Sequence, residues 1–183
     1  MRKIFVSDIF GRTPALENLC RAVGSDIGIV DPYAGKEMRF QTEQEAYDFF
    51  MANVGMNAYC DLLQSRLEQT TIPIILVGFS VGASALWQIS ESLSCEKVKR
   101  VVCFYGSQIR HSTEINPSVV VEHFLPVHEA GFSVEEMANR LLGKENIILH
   151  NTTYLHGFMN ELSKNYSKLG YRKYVELLRK CIY

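Results

Sequence analysis

A serine between two glycines is the first feature of this sequence that could do chemistry. The segment Gly78-Phe79-Ser80-Val81-Gly82 follows an apolar run over residues 74–77 and precedes a stretch with helical character. G-x-S-x-G at a strand–turn–helix junction is typical of a nucleophilic serine, because the turn exposes the hydroxyl and the glycines let neighbouring chains approach. A phosphate-binding turn is the alternative, but no lysine follows and G-x-G-x-x-G is absent. We therefore predict that Ser80 is a nucleophile.

A serine nucleophile needs a histidine base within hydrogen-bond reach. In chains with this kind of turn the triad residues come in the order serine, acid, histidine, so the base should follow the last strand. His150 ends the predicted strand over residues 147–149, and His156 lies in a loop beside Gly157. We favour His156, because a loop histidine next to a glycine can swing over the sheet edge towards Ser80.

The acid that orients this histidine should follow the predicted strand over residues 118–121, and the next segment contains no aspartate. A glutamate can take the place of the aspartate. Glu122 lies close to the predicted strand end, whereas Glu129 lies in the loop before a helix that Ser133 opens. We favour Glu129 and keep Glu122 as the alternative. Solvated surface carboxylates are the simpler interpretation of both.

Strands and helices alternate along the chain, and this alternation must position the three side chains. Short apolar runs predict strands over residues 4–6, 27–30, 74–77, 98–105, 118–121 and 147–149. Helical periodicity predicts helices over residues 14–23, 83–93, 134–142 and 171–182, the first with Thr13 as N-cap and Pro14 at its first position. A capping box over residues 42–45 opens another helix, which bends near Gly55. The pattern indicates an α/β protein with a mostly parallel sheet, helices on both faces, and functional groups at the carboxyl ends of the strands.

Composition limits the classes of function. The 183 residues are 47% hydrophobic and 21% charged with a net charge of −1, which predicts one globular domain over residues 1–183. No basic face suggests nucleic-acid binding, and no apolar run is long enough to predict a membrane span. Five widely spaced cysteines without C-x-x-C argue against a disulfide framework and a zinc site, and favour small buried side chains in a reducing compartment. We expect a cytoplasmic protein without a metal or an organic cofactor, and the oligomeric state stays open.

Several motifs together resemble those of dienelactone hydrolase-like α/β-hydrolases, in a short form. The glycine–serine–glycine turn and His156-Gly157-Phe158 match the family's nucleophile elbow and its H-G-F segment, in the same order. Asp8-Ile9-Phe10-Gly11-Arg12 is similar to the family's E-I-F-G segment, Phe104-Tyr105-Gly106 to its Y-G, and Asp31-Pro32-Tyr33 to its P-D-L-Y with proline and aspartate exchanged. The likeness covers nearly the whole chain and implies an α/β-hydrolase fold with a minimal lid or none.

The resemblance also implies an oxyanion hole made of two backbone amides, those of Ile9 and Val81. Three positions differ from the family. The founding enzymes have cysteine where this chain has Ser80, Asp8 stands in place of a glutamate, and Glu129 stands in place of the aspartate acid. The serine favours a general esterase over an enzyme for dienelactone itself.

We therefore expect a serine hydrolase that cleaves a small ester or thioester through an acyl-enzyme, with a cleft that is open or covered only by residues 34–41. Arg12, Arg39 and Arg110 are candidates for binding a substrate carboxylate, although exposed surface positions explain them more simply. Two alternatives stay open. One is a catalytically degenerate binding or regulatory protein, and the other is a hydrolase of another bond, such as a peptidase or a lipid thioesterase.

Overall fold

The computed structural model describes residues 1–180, in which six parallel strands form one sheet in the order β2-β1-β3-β4-β5-β6. The strands are β1 Arg2–Val6, β2 Ile27–Val30, β3 Ile74–Phe79, β4 Val98–Phe104, β5 Val121–Leu125 and β6 Ile147–Asn151. The helices are α1 Pro14–Val23, α2 Glu43–Asn53, α3 Gly55–Glu68, α4 Val81–Ile89, α5 Val134–Leu141 and α6 Lys168–Lys180, with shorter 3-10 helices at Ser90–Ser92 and Ser107–His111. Parallel pairing requires long crossover connections, and helices provide most of them here.

The central strand β3 determines where chemistry can occur. All six of its residues are buried, because β1 and β4 pair with its two edges and helices cover its faces. Val6 at the end of β1 pairs with Gly78, and Phe104 at the end of β4 pairs with Phe79. The loops that follow β1 and β4 therefore begin beside Ser80, the residue after β3.

Two apolar cores, one on each face of the sheet, hold the helices in place. On one face α2, α3, α4 and α5 bury side chains that include Phe50, Leu63 and Met137. On the other face α1 and α6 bury Leu19 and Tyr174. Each large apolar side chain contributes about 1.5–3 kcal/mol when it is fully buried, so both layers stabilise the sheet. The prediction of a parallel sheet with helices on both faces is confirmed.

Capping side chains fix where the first helices begin. Thr13 caps α1, whose bounds match the prediction, and Thr42 caps α2 by accepting the N–H of Glu45 at 3.1 Å. The Glu45 carboxylate reaches back and accepts the N–H of Gln41 at 2.8 Å, one residue earlier than a standard capping box. Val54 lies between α2 and α3, and Gly55, the first residue of α3, has a φ of +73°, so the predicted bend near Gly55 is confirmed.

The predicted strand over residues 118–121 is wrong in position, since β5 begins at Val121 and continues to Leu125. Ser118 instead ties the chain to the turn after α4. Its N–H and its hydroxyl both donate to the Ser90 carbonyl oxygen, at 3.1 and 3.0 Å. The strand includes the polar residues Glu122 and His123, which a search for apolar runs passes over.

Two peripheral features also differ from the sequence expectations. Cys20, Cys60 and Cys103 are buried, but Cys95 is exposed, because it lies in the surface connection into β4. The helix α6 begins earlier than predicted, and Cys181 and the predicted helix end lie outside the described residues. None of the helices within residues 1–180 combines the length and the apolar character that a membrane crossing requires.

Candidate active site

Ser80 lies on a strained turn between β3 and α4. Its backbone has a φ of 53° and a ψ of −115°, a region that costs a residue with a side chain on the order of 1–3 kcal/mol. The flanking glycines make this turn possible. A Cβ on Gly78 would lie 2.7 Å from the backbone of Ala83, and a Cβ on Gly82 would lie 2.5 Å from the Val6 carbonyl oxygen. The turn thus presents Ser80 at the carboxyl end of the central strand.

His156 reaches Ser80 from the loop after β6. Its Nε2 lies 2.9 Å from Ser80 Oγ, and its Nδ1 lies 2.7 Å from Glu129 Oε1. In the tautomer with hydrogen on Nδ1, the imidazole donates to the carboxylate and accepts from the serine hydroxyl, as a general base must. The structure therefore brings Ser80, His156 and Glu129 into one hydrogen-bonded chain.

The loop that carries His156 is held by its own neighbours. Asn165 Nδ2 donates to the His156 carbonyl oxygen at 2.9 Å. Gly157 has a φ of +84°, and a Cβ there would overlap the Ser163 side chain, so a glycine is needed beside the histidine. The imidazole also packs on the buried ring of Tyr105, with 4.9 Å between the ring centroids. These contacts restrict the imidazole to the orientation that faces the serine.

The two candidate acids lie in different places. Glu129 follows β5 and turns its carboxylate towards His156, with 14% of its side chain exposed. Glu122 lies within β5 and instead contacts Arg100 Nη1 at 2.7 Å and His150 Nε2 at 2.9 Å. The histidine that the sequence left as second choice, His150, therefore forms its polar contact with Glu122 rather than Ser80. The structure places Glu129, and not Glu122, beside His156.

The predicted oxyanion amides belong to residues that flank the nucleophile. Val81 is the first residue of α4, and Ile9 lies in the loop after β1, which the turn at Gly82 approaches closely. Tyr33 Oη donates to the Ile9 carbonyl oxygen at 2.7 Å and so fixes the orientation of this loop. Within residues 1–180, neither amide N–H donates a turn or loop hydrogen bond to another backbone group. Such N–H groups are suited to binding an oxyanion, and this role stays a prediction.

Asp8 connects the loop after β1 with the loop that carries the histidine. Its carboxylate accepts the Phe10 N–H at 3.0 Å and the Asn160 side-chain N–H at 2.7 Å. Burial raises the pKa of Asp8 above its usual value, while the Asn160 hydrogen bond, the Phe10 N–H and His156 partly counteract the rise and Glu43 adds to it. Sequence reasoning missed Asn160, because its only signal is its position shortly after the H-G-F segment.

A cleft of about 210 Å³ opens beside Ser80 and His156. One wall comes from the first turns of α2, through Glu43, Gln44 and Tyr47. The sequence left two expectations for this cleft, an open one and one covered only by residues 34–41. None of residues 34–41 lines the cleft, whereas the helix that follows them does. The remaining lining residues are Asp8, Ile9, Phe10, Tyr105, Gly157, Asn160 and Ser163.

None of the three arginines that the sequence offered for a substrate carboxylate lines this cleft. Arg12 pairs with Glu17 at 2.9 Å, and Arg39 pairs with Glu37 at 3.7 Å. Arg110 Nη1 donates to the Ser107 carbonyl oxygen at 2.6 Å, and its guanidinium lies over the ring of Phe132. Arg12 and Arg39 are exposed, as the simpler interpretation expected, whereas Arg110 is half-buried.

Comparisons with known proteins place this geometry in a wider context. No protein-family model matches the chain. The Bacillus subtilis (strain 168) protein YczH, whose name describes it as uncharacterized, is 26% identical over 96% of this chain and 89% of its own length. A solved Klebsiella pneumoniae structure described as a candidate dienelactone hydrolase has a TM-score of 0.73 at 15% identity, covering 97% of this chain and 86% of that chain. The mouse α/β hydrolase domain-containing protein 10 has a TM-score of 0.66 at 11% identity, covering 96% and 87%.

Likeness over nearly the whole of each chain, at identities this low, is evidence for the fold. Both solved structures carry hydrolase names, and at these identities the likeness shows the fold that they share with this chain. The six parallel strands, the helices on both faces and the serine turn after the central strand agree with this assignment. The chain has the α/β-hydrolase fold, in the form shared with dienelactone hydrolase-like proteins.

Proposed function

We propose that this protein is a serine hydrolase that cleaves a small ester or thioester through an acyl-enzyme. One observation carries the proposal: 2.9 Å separates Ser80 Oγ from His156 Nε2, and 2.7 Å separates His156 Nδ1 from Glu129 Oε1. Each group in this chain has the partner that its role in a triad needs. Nucleophilic attack, base catalysis and orientation of the base are therefore assigned to Ser80, His156 and Glu129.

In the first step, Ser80 Oγ forms a bond to the substrate carbonyl carbon while its proton moves to His156 Nε2. The Glu129 carboxylate stabilises the imidazolium that results. The carbonyl oxygen becomes an oxyanion, and the amides of Ile9 and Val81 are suited to bind it. The bond to the leaving alcohol or thiol then breaks, and His156 gives its proton to the leaving group.

In the second step, a water molecule replaces the leaving group beside His156. The imidazole takes a proton from this water while the oxygen attacks the acyl carbon. The bond between Ser80 Oγ and the acyl carbon breaks, and His156 returns the proton to the serine. The products are a carboxylic acid and the free enzyme, so the reaction needs no cofactor to balance it.

The size of the cleft supports a small substrate. Its volume of about 210 Å³ is smaller than the roughly 300–1,000 Å³ of pockets that enclose drug-sized ligands. Tyr47, in the first turns of α2, and the buried Tyr105 both line the cleft and limit its size. Short acyl chains are therefore the first substrates to test.

The test is covalent labelling with a fluorophosphonate probe, followed by mass spectrometry to locate the adduct. We expect an adduct on Ser80 that is absent from the Ser80→Ala variant and strongly reduced in His156→Ala. Circular dichroism of the same samples establishes that both variants are folded. Folded wild-type protein that gives no adduct, and that does not hydrolyse p-nitrophenyl acetate, would contradict the proposal and favour a binding protein.

A further inference from the structure

The charges around the cleft point to one class of substrate. Of the residues that line it, Asp8 and Glu43 carry carboxylates, His156 is the base, and none is a lysine or an arginine. Glu129 adds a third carboxylate directly behind the imidazole. A substrate that enters this cleft therefore meets carboxylates without any fixed positive charge to balance them.

Glu43 is the carboxylate that is free to meet the substrate. Its side chain forms no ion pair or hydrogen bond within residues 1–180. Its Oε1 lies 4.0 Å from the point where a Cβ would stand on Gly157, so the carboxylate lies beside the loop that carries the histidine. Asp8, in contrast, has its two oxygens engaged by Phe10 and Asn160.

The position of Glu43 at the start of α2 does not by itself explain the residue. A carboxylate in the first turn gains about 0.3–1 kcal/mol from the helix dipole. The capping hydrogen bonds at this end come from other side chains: the Thr42 hydroxyl accepts the Glu45 N–H, and the Glu45 carboxylate accepts the Gln41 N–H. Glu43 is thus an additional charge that points to the cleft instead of the helix backbone.

Aromatic side chains complete a cation-binding surface. Tyr47 lies one helical turn after Glu43 and also lines the cleft, with 39% of the residue exposed. Tyr105 forms another part of the wall, with only 1% of the residue exposed. A carboxylate beside tyrosine rings is the combination that binds ammonium groups, through charge attraction and the negative faces of the rings.

We propose that the natural substrate of Ser80 is an ester or thioester that carries a positively charged ammonium group, which Glu43 and Tyr47 bind. This inference rests on the proposed hydrolase function and specifies its substrate class. It also excludes substrates with a free carboxylate close to the scissile bond, because Glu43 would repel them and no arginine lines the cleft. Glu43 is therefore a specificity-determining residue.

The experiment compares substrates that differ in charge and hardly in shape. One pair is acetylthiocholine and its uncharged analogue, in which a carbon atom replaces the quaternary nitrogen. A second pair places the trimethylammonium group, or its tert-butyl analogue, on the acyl side of a p-nitrophenyl ester. The p-nitrophenyl monoester of glutaric acid supplies the negative charge. We expect kcat/KM to favour the cation over the neutral analogue by about tenfold in at least one pair, and the anion to be the poorest substrate.

Two variants assign the preference to one side chain. Glu43→Gln should bring the ratio of cationic to neutral kcat/KM to within about twofold of one, since the charge is lost while the shape remains. Glu45→Gln removes the same charge from the same turn of α2, but Glu45 does not line the cleft, so the wild-type ratio should remain. The preference of the wild type should also decrease with added salt.

The outcomes separate this inference from the proposed function. Hydrolysis of the neutral esters with equal rates for the cationic ones would overturn the ammonium proposal and leave the hydrolase intact. If Glu43→Gln and Glu45→Gln lose the preference for the cationic substrate equally, the preference comes from the general electrostatic field around the cleft. That result would overturn the role of Glu43. If no ester is hydrolysed, calorimetric binding to Ser80→Ala decides: tighter binding of the cationic ligand supports the site, and equal binding overturns it.

Discussion

Glutamine in place of Glu129 tests the triad most directly, because the change removes a charge and almost no volume. The Glu129 carboxylate lies 2.7 Å from His156 Nδ1, so the two charge centres are about 4 Å apart when the imidazole is protonated. At an effective dielectric constant of about 20, unit charges at this distance attract by about 4 kcal/mol. The side chains are 14% and 30% exposed, and solvent screening reduces the attraction to about 2–3 kcal/mol.

The attraction between Glu129 and His156 exists only while His156 holds the serine proton. Removing the attraction should therefore lower kcat. We expect kcat for p-nitrophenyl acetate to fall by about 30- to 150-fold in Glu129→Gln, with KM changed by less than about threefold. An amide that turns its NH₂ group to Nδ1 would also favour the wrong imidazole tautomer, which adds to the loss. Steady-state kinetics with active-site titration measures the effect per competent site.

Glu122→Gln is the matched control, since it makes the same change in the carboxylate that binds Arg100 and His150. We expect kcat to stay within about twofold of the wild-type value, because Glu122 does not contact His156. Equal losses in the two variants, or a loss below about threefold in Glu129→Gln, would refute the assignment of Glu129 as the acid.

Three further changes test the geometry and the buried charges around the site. Gly82→Ala should reduce the unfolding free energy by about 1–3 kcal/mol in thermal unfolding, because its Cβ would lie 2.5 Å from the Val6 carbonyl oxygen and force the backbone to shift. Burial lowers the pKa of His123 to about 3, so the stability that the neutral imidazole provides is complete above the unfolded pKa of 6.5 and is lost as the pH falls. Between about pH 7.5 and pH 5, urea unfolding of the wild type should therefore lose about 2 kcal/mol more than that of His123→Gln. Asn160→Ala removes a donor from the buried Asp8 carboxylate, so its unfolding free energy should fall by about 1.5–3 kcal/mol at neutral pH. Because the pKa of Asp8 is raised, its stabilising contribution is present at low pH and lost as the pH rises, and thermal unfolding of Asn160→Ala should show a steeper loss than the wild type.

Each of these predictions has a control and a contradicting result. Gly24→Ala is the control for the alanine change, because Gly24 has an extended φ of 173° and nothing lies within 4 Å of its would-be Cβ. If both alanine variants are equally stable, the close approach at Gly82 does not constrain the turn. If the unfolding free energies of His123→Gln and the wild type change in parallel with pH, burial does not lower the pKa of His123. If the unfolding free energy of Asn160→Ala equals that of the wild type at every pH, Asp8 must accept a hydrogen bond from another donor.

The sequence predicted the elements whose signals are local. The helix α1 was predicted with its observed bounds because Thr13 and Pro14 mark its start and its apolar spacing marks its length. The strand β5 was misplaced for the opposite reason. Its register depends on pairing with β4 and β6, and the polar Glu122 and His123 within it interrupt the apolar run. A strand that buries polar side chains can be predicted only once the strands that pair with it are known.

The same error explains why the sequence could not separate the two acids. With a strand over residues 118–121, both Glu122 and Glu129 follow its end and both could reach the histidine. The observed β5 extends to Leu125, so Glu122 belongs to the ladder and turns to Arg100, while Glu129 stands in the loop beyond the strand. The identity of the acid was therefore a question of strand register, which side-chain chemistry alone does not answer.

The proposed catalytic groups and the proposed specificity groups depend on different parts of the fold. Pairing of β1 with β3 and the close approach at Gly82 fix the nucleophile relative to the loop with Ile9, and the Asp8–Asn160 hydrogen bond joins that loop to the one that carries the histidine. The opposite wall of the cleft comes from the first turns of α2, a helix that contributes nothing to the triad. Substitutions on this face of α2 should therefore change which substrate is preferred while fluorophosphonate labelling of Ser80 persists. Substitutions that disturb the two loops should reduce labelling and turnover of every substrate together.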